Sequence, residues 1–212
     1  MGNNSFDALI FDMDGTLWNA TESYAAVWNE CLAQMGMEVH VTASMLLQYM
    51  GSPIDVIFDG MLGTGIDTET RQRFLKCLYR LEEEMMPQLG GVLFDGVFDG
   101  LKRLHERYKL FMVSNCSANG LKNFMRFTST TPFFTATKTY GENLLPKSDN
   151  IKLLVETYDL RNALYLGDTQ GDCDQAHKAG VPYAHMAYGF GECSDADMVY
   201  PDFTSLVTDL ME

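Results

Sequence analysis

Polar residues follow three short apolar runs of the sequence, at the points where buried strands would end. A lysine, Lys147, opens a later stretch with helical periodicity. Because the ends of parallel strands lie side by side, these segments are predicted to converge on one crevice, where ligands of such sheets bind. Carboxylates, a hydroxyl group and an ammonium group would then meet there. The strand-end residues are Asp12 and Asp14, then Ser114 and Asn115, then Asp168 and Asp172.

Asp12 and Asp14 are spaced so that both carboxylates could act in one site. Residues two apart just past a strand can project to the same side, so Asp12 and Asp14 can both face the crevice. Gly15 permits a tight turn after them. Taken singly, such a pair is more often a solvated turn, and Ser114-Asn115 is more often a cap. Their joint occurrence, each after the expected element, favours a functional site.

Hydrophobic periodicity predicts the elements that must position these residues. Asp7 to Asp12 reads as a buried parallel strand, and three or four helices follow with no strand between them. The first of these helices could start with a capping box of Asn19 and Glu22. Beyond Gly90-Gly91, strands and helices alternate, which indicates an α/β fold with a doubly wound parallel sheet. Strands are predicted at 109–113, 134–139, 163–166 and from 183, and helices at about 118–127, 148–158 and 172–179.

Composition excludes several classes of protein. The 212 residues carry 29 acidic and 15 basic side chains, a net charge of −14, and 46% are hydrophobic. No basic run is present, so nucleic acid is excluded as a partner, and a small anionic substrate would need a metal ion and a placed lysine. No apolar run approaches the ~18 residues of a membrane span, and the first residues lack a signal region. We therefore expect a soluble, cytoplasmic protein with no membrane association. Its five scattered cysteines should be reduced thiols.

The four motifs together resemble the haloacid dehalogenase-like (HAD) hydrolase superfamily. The resemblance covers essentially the whole chain and is greatest to the branch of phosphoglycolate phosphatase-like and beta-phosphoglucomutase-like proteins. It implies a Rossmann-like α/β core of residues 1–17 and 91–212, with a small helical cap domain, residues 18–90, inserted after the first strand. One departure is that the Lys-Pro common in the family reads Lys147-Ser148 here.

The resemblance also implies roles for the strand-end residues. Asp12 would be the nucleophile that forms an aspartyl-phosphate, and Asp14 the general acid and base, with a pKa raised by nearby negative charge. Phosphate would be bound by Ser114, Asn115 and Lys147. Mg²⁺ would be held by oxygen atoms of Asp12, Asp14 (through its carbonyl), Asp168 and Asp172.

The inserted helices should control substrate choice. A break in the helical pattern at Gly51, Ser52 and Pro53 stands where related caps place a loop that faces substrate. Phe190, in a loop after the last predicted strand, has a weaker claim to line the crevice. The aromatic and methionine residues of the insertion are interpreted as core. They include Tyr24, Trp28, Met35, Tyr49, Met50 and Phe58.

The leading hypothesis is a Mg²⁺-dependent phosphatase that acts on a small phosphorylated metabolite, as a monomer or weak homodimer. A phosphomutase of the beta-phosphoglucomutase type or an inorganic pyrophosphatase would share all four motifs and remain alternatives. Dehalogenation is disfavoured, because displacing a halide needs neither the acid Asp14 nor the metal ligand Asp168. A phospho-aspartate signalling switch is the non-enzymatic alternative, although it would not need the helical insertion.

Overall fold

A computed structural model describes residues 6–212, and this part of the chain forms eight strands and ten α-helices. The strands are β1 (Ala8–Phe11), β2 (Trp18–Asn19), β3 (Val92–Leu93), β4 (Lys109–Ser114), β5 (Phe134–Thr139), β6 (Ala163–Gly167), β7 (Tyr183–Met186) and β8 (Met198–Tyr200). The helices are α1 (Thr21–Gln34), α2 (Ala43–Leu47), α3 (Ile54–Leu62), α4 (Thr68–Leu89), α5 (Val97–Leu104), α6 (Gly120–Phe127), α7 (Tyr140–Asn143), α8 (Lys147–Thr157), α9 (Gln170–Ala179) and α10 (Phe203–Met211).

A six-stranded sheet with the order β5-β4-β1-β6-β7-β8 forms the centre of the molecule, and all its pairings are parallel. β1 lies between β4 and β6, and its side chains alternate between two hydrophobic clusters. Leu9 and Phe11 join the cluster that contains α5 and α10, whereas Ala8 and Ile10 face α8 and α9. Helices therefore cover both faces, which explains the unbroken apolar run of β1. The predicted α/β fold is confirmed.

The insertion comprises α1 to α4 and is bounded by two short paired strands. β2 and β3 pair antiparallel, with Trp18 opposite Leu93 and Asn19 opposite Val92, so the chain enters and leaves the helical layer at one place. The predicted boundaries at 17/18 and 90/91 stay a prediction. The capping box is wrong, because α1 begins after Ala20 and the Asn19 side chain instead accepts bonds from the N–H and hydroxyl of Thr21.

The predicted elements of the sheet are largely confirmed. The strand at 134–139 has the expected bounds, and α6, α8 and α9 begin within two residues of their expected starts. Sequence reasoning missed β8 and α10, although α10 has clear signals. Asp202 caps it by accepting from the Ser205 N–H, and its buried residues have helical spacing. They are Phe203, Leu206, Val207 and Leu210.

The structure bears on two predictions from the sequence, one about membrane spans and one about the state of the cysteines. Within 6–212, no helix combines the length and apolar character needed to cross a membrane. All five cysteines lie in this range and each is a free thiol, as the sequence predicted.

Replacement of Phe203 by alanine should destabilise the fold through α10. The Phe203 ring is fully buried, stacks on Phe11 at 6.1 Å and packs against Gly100. Loss of this ring should lower the free energy of unfolding by about 3–5 kcal/mol in chemical denaturation. The control is Thr208→Ala on the exposed face of the same helix, where we expect a change within about 0.5 kcal/mol. Equal effects of the two substitutions would contradict the packing of α10.

Candidate active site

Three buried carboxylates meet at the carboxyl end of the central strands. Asp12 directly follows β1, Asp168 directly follows the neighbouring β6, and Asp172 lies in the first turn of α9. Each offers a carboxylate oxygen that lies within 4.8 Å of the others. The parallel pairing of β1 with β6 brings together residues that are about 160 positions apart in the sequence.

Lys147, the first residue of α8, holds this cluster together. Its side chain is buried, and its Nζ lies 3.0 Å from Asp12 Oδ1 and 2.6 Å from Asp172 Oδ1. Burial lowers the pKa of Lys147, but the two carboxylates outweigh burial and leave that pKa well above its ordinary value. The ammonium group is therefore retained in the site.

One ammonium group does not balance three carboxylates. Burial raises the pKa of Asp168, and the charges of Asp172 and Asp12 raise it further. Burial is also the main reason that the pKa of Asp12 is raised, although Lys147 opposes it. An all-oxygen donor set with excess negative charge fits a hard divalent cation. The cluster can therefore hold a metal ion.

Asp172 also has a structural task, because its carboxylate builds the loop that carries Asp168. Its Oδ2 accepts bonds from the Thr169 N–H and hydroxyl, at 3.2 and 2.7 Å, and from the Asp168 N–H at 3.3 Å. With the reciprocal bond from the Asp172 N–H to Thr169 Oγ1, this forms the capping box of α9. The other oxygen accepts from Lys147. Both oxygens of Asp172 thus hold the site in shape.

The Asp168 carboxylate is enclosed by backbone that only glycine allows to approach. A methyl group at Gly15, where φ is +82°, or at Gly189 would overlap Asp168. The Phe190 N–H donates to Asp168 Oδ2 at 2.8 Å, and the Thr16 hydroxyl donates to Oδ1 at 3.2 Å. Phe190 therefore contributes its backbone to the site, while its ring packs against Phe94.

Asp14 faces the insertion and not the three-carboxylate cluster. Its Oδ1 accepts from Trp18 Nε1 at 2.9 Å, and its Oδ2 accepts from the Tyr24 hydroxyl at 3.4 Å. Burial raises the pKa of Asp14 to about 7, and the charge of Asp12 adds to this. The raised pKa agrees with sequence reasoning, although burial is a larger cause than the expected charge. Metal binding through the Asp14 carbonyl stays a prediction.

A cavity lies between these strand ends and the inserted helices, and residues of both parts line it. Ser114 and Asn115 face it beside Asp12 and Asp14. The Asn115 amide donates to the carbonyl oxygen of Gly51 at 2.8 Å, so the loop after β4 contacts the break in the insertion. Gly51 and Ser52 line the cavity, whereas Pro53 caps α3. The phosphate-binding and specificity roles of these residues stay predictions.

Several cavity residues escaped sequence reasoning. Trp18 was not singled out, although its position four residues after Asp14 brings its indole N–H to that carboxylate. Tyr24, Trp28 and Met50 were interpreted as core residues, yet all three line the cavity. Trp28 is both a cavity-lining residue and a core residue, since its ring also packs on that of Phe74, with 5.0 Å between the ring centroids. A polar-tipped aromatic residue within about ten positions after a reactive carboxylate is the signal that could have identified Trp18 and Tyr24.

A doubly wound sheet that gathers carboxylates and a lysine at its strand ends, beneath an inserted helical layer, defines a catalytic α/β domain. The chain matches the haloacid dehalogenase-like hydrolase family over residues 9–186 and belongs to it. The expectation of a hydrolase enzyme of this superfamily is therefore confirmed.

Curated relatives and solved structures extend over nearly the whole chain. A phosphoglycolate phosphatase of Salmonella typhimurium is 24% identical over 93% of this chain and 89% of its own length. One of Haemophilus influenzae is 25% identical over 97% and 99%. A predicted phosphoglycolate phosphatase from Haemophilus somnus superposes with a TM-score of 0.84 at 20% identity, over 98% of this chain and 99% of that one. A haloacid dehalogenase-like family hydrolase from Streptococcus pneumoniae gives 0.83 at 19% identity, over 97% and 98%. These structures share the fold.

Substitution of Gly189 by alanine should weaken cation binding, because the added methyl group would displace the Asp168 side chain. We expect a loss of about tenfold or more in affinity for a divalent cation, measured by titration calorimetry. The matched control is Gly65→Ala, whose methyl group would point into open space, and which should bind the cation normally. Unchanged affinity in a folded Gly189→Ala variant would contradict the role of Asp168 as a ligand.

Proposed function

We propose that this protein is a Mg²⁺-dependent phosphatase that hydrolyses a small phosphate monoester through an aspartyl-phosphate at Asp12. The observation that carries the proposal is the buried contact of Lys147 with Asp12 and Asp172, beside a cavity that Asp14 also lines. The curated relatives that bear the name phosphoglycolate phosphatase support the reaction class.

Asp12 and Asp14 divide the covalent chemistry. The Asp12 carboxylate attacks phosphorus, the bond from phosphorus to the ester oxygen breaks, and Asp14 donates a proton to the leaving oxygen. Asp14 then takes a proton from water as that water attacks the aspartyl-phosphate and releases inorganic phosphate. The bonds from Trp18 and Tyr24 orient Asp14 for both proton transfers.

Positive charge and hydrogen-bond donors act on the phosphoryl oxygens during transfer. Lys147 offsets the charge shared by the phosphoryl group and Asp12. The Ser114 hydroxyl and the Asn115 amide, which line the same cavity, bind the phosphoryl oxygens.

The carboxylates of Asp12, Asp168 and Asp172 and the carbonyl of Asp14 would hold Mg²⁺. When bound, this cation supplies positive charge that neutralises the carboxylates and stabilises the charge that develops on the phosphoryl oxygens. Its oxygen preference matches the donor set.

The inserted layer supports the proposal of a small substrate. Residues 18–90 act as a cap domain on the core of residues 1–17 and 91–212, and the cavity lies between the two. The cap excludes bulk water during transfer and leaves no room for a macromolecule. A small phosphorylated metabolite fits this arrangement.

Asp12→Asn should abolish turnover, because a neutral amide oxygen is a poor nucleophile. We expect kcat for phosphate release from p-nitrophenyl phosphate to fall by at least about a thousandfold. Acid-quenched wild-type enzyme should carry a phosphoryl group on the peptide that contains Asp12, and the variant should carry none.

Two controls separate chemistry from folding. Asp174→Asn changes an exposed carboxylate on α9 and should leave turnover unchanged. A chelator should stop the wild-type reaction and added Mg²⁺ should restore it. Turnover by a folded Asp12→Asn variant at the wild-type rate would refute the mechanism.

Asp14→Asn should impair poor leaving groups most, because only these need a proton as they depart. With an alkyl phosphate, we expect kcat/KM to fall by about a hundredfold or more. With p-nitrophenyl phosphate, whose phenolate leaves readily, a burst of p-nitrophenol should precede slow turnover as the aspartyl-phosphate accumulates. The measurement is rapid-quench kinetics with both esters. Equal losses for the two leaving groups, without a burst, would argue against Asp14 as the acid and base.

A further inference from the structure

The two ends of the cavity differ in the charged residues that they offer to a ligand. At the phosphoryl end, Lys147 contacts Asp12. Elsewhere, none of the lining residues contributed by the described part of the chain is a lysine, arginine or histidine. The cap instead supplies an acid, Glu82, together with aromatic rings. The rings that line the cavity are Trp18, Tyr24, Trp28, Tyr79 and Tyr140.

Glu82 projects from α4 into this aromatic part of the cavity and is half-buried. Burial raises its pKa to about 7, although the Ser117 side chain opposes this. Burial is the main reason that the pKa values of Tyr79 and Tyr24 are raised, and the negative charge of Glu82 adds to both. Glu82 therefore shares the cavity wall with these rings, including that of Tyr24, whose hydroxyl contacts Asp14.

None of the four basic residues of α4, which are Arg71, Arg73, Lys76 and Arg80, lines the cavity that Glu82 faces. Arg71 pairs with Asp55 and Asp59 and covers the ring of Phe58. Arg80 pairs with Glu84 on the exposed side of the helix. The carboxylate of Glu82 thus faces the cavity without either arginine beside it.

Such a surface discriminates by charge. A leaving group that carries a carboxylate would bring a second negative charge beside Glu82 in a partly desolvated cavity, which is unfavourable. A protonated amine would pair with Glu82, and the faces of the surrounding rings would attract it as well. An uncharged leaving group would gain neither benefit nor penalty.

We propose that the cavity selects phosphate monoesters whose leaving group carries a protonated amine, and that Glu82 is the specificity residue that recognises it. This inference rests on the proposed phosphatase function and names its substrate class. It distinguishes the substrate proposed for this chain from the one that the names of its relatives imply, because phosphoglycolate carries a carboxylate where an aminoalkyl phosphate carries an ammonium group.

Three esters of nearly equal size test the proposal: phosphoethanolamine, 2-hydroxyethyl phosphate and phosphoglycolate, whose leaving groups are cationic, neutral and anionic. Phosphate release gives kcat/KM for each. Binding is followed separately by tryptophan fluorescence, since the chain has two tryptophans, Trp18 and Trp28, and both line the cavity. p-Nitrophenyl phosphate serves as the general test of phosphatase activity.

We expect kcat/KM and affinity to decrease in the order amine, neutral, carboxylate, with about tenfold or more between amine and neutral esters. Glu82→Gln should bring the ratio of amine to neutral ester close to one, and Glu82→Lys should favour phosphoglycolate. Glu84→Gln removes the same charge from the exposed side of α4 and should leave that ratio at its wild-type value. Thermal unfolding confirms that each variant is folded.

Each outcome has a distinct meaning. Equal or faster turnover of phosphoglycolate than of the neutral ester by the wild-type enzyme would overturn the selectivity. An amine preference that survives Glu82→Gln would overturn the role of Glu82. If no ester is hydrolysed but fluorescence shows the expected order of affinity, the phosphatase function fails and the selectivity stands. If p-nitrophenyl phosphate is hydrolysed and the order of affinity is absent, the phosphatase function stands and the selectivity fails.

Discussion

The contact of one buried lysine with two buried carboxylates is the interaction on which the remainder of this site depends. Lys147 contacts Asp12 and Asp172 in a place from which water is almost excluded. Removal of charged groups from water is costly, and a third carboxylate, that of Asp168, adds repulsion. The arrangement persists because each carboxylate is attached to a rigid strand end or helix start. The parallel sheet therefore provides more than a scaffold, since its pairing holds like charges within reach of one cation.

Local backbone chemistry serves the same constraint. Gly15 and Gly189 let the backbone surround Asp168. The capping box of Thr169 and Asp172 fixes the loop that carries Asp168. Asp172, which completes the capping box of α9, is thus also one of the three clustered carboxylates. The structural and functional interpretations of Asp172 are not alternatives, because the bonds that cap α9 are the bonds that orient the carboxylate.

Sequence reasoning could predict the parallel sheet and the meeting of its strand ends, because both follow from local patterns. Asp12, Ser114, Lys147 and Asp168 follow or open elements whose periodicity is readable, and strand ends of one sheet must be neighbours. The partners across the cavity could not be predicted in this way. The pattern of α4 indicates which face is apolar, but not which loop that face meets. Whether Glu82 faces solvent or the loop after β4 depends on how the insertion packs, which no local pattern encodes.

The contrast between the strand-end motifs and the cavity wall limits what the relatives can indicate about the substrate. Identity of 24–25% over nearly the whole chain accompanies a shared fold, and the strand-end motifs to which we assign phosphoryl transfer lie in the core. In the proposed reaction the leaving group of the ester would face the insertion, where side chains such as Trp18, Tyr79 and Glu82 form the cavity wall. A reaction class can therefore persist in a family while substrate charge changes, because the two properties depend on separate surfaces. In a chain of net charge −14, the proposed phosphoryl site combines Lys147 with a carboxylate cluster that can hold a cation, whereas no basic residue of the described cap lines the cavity.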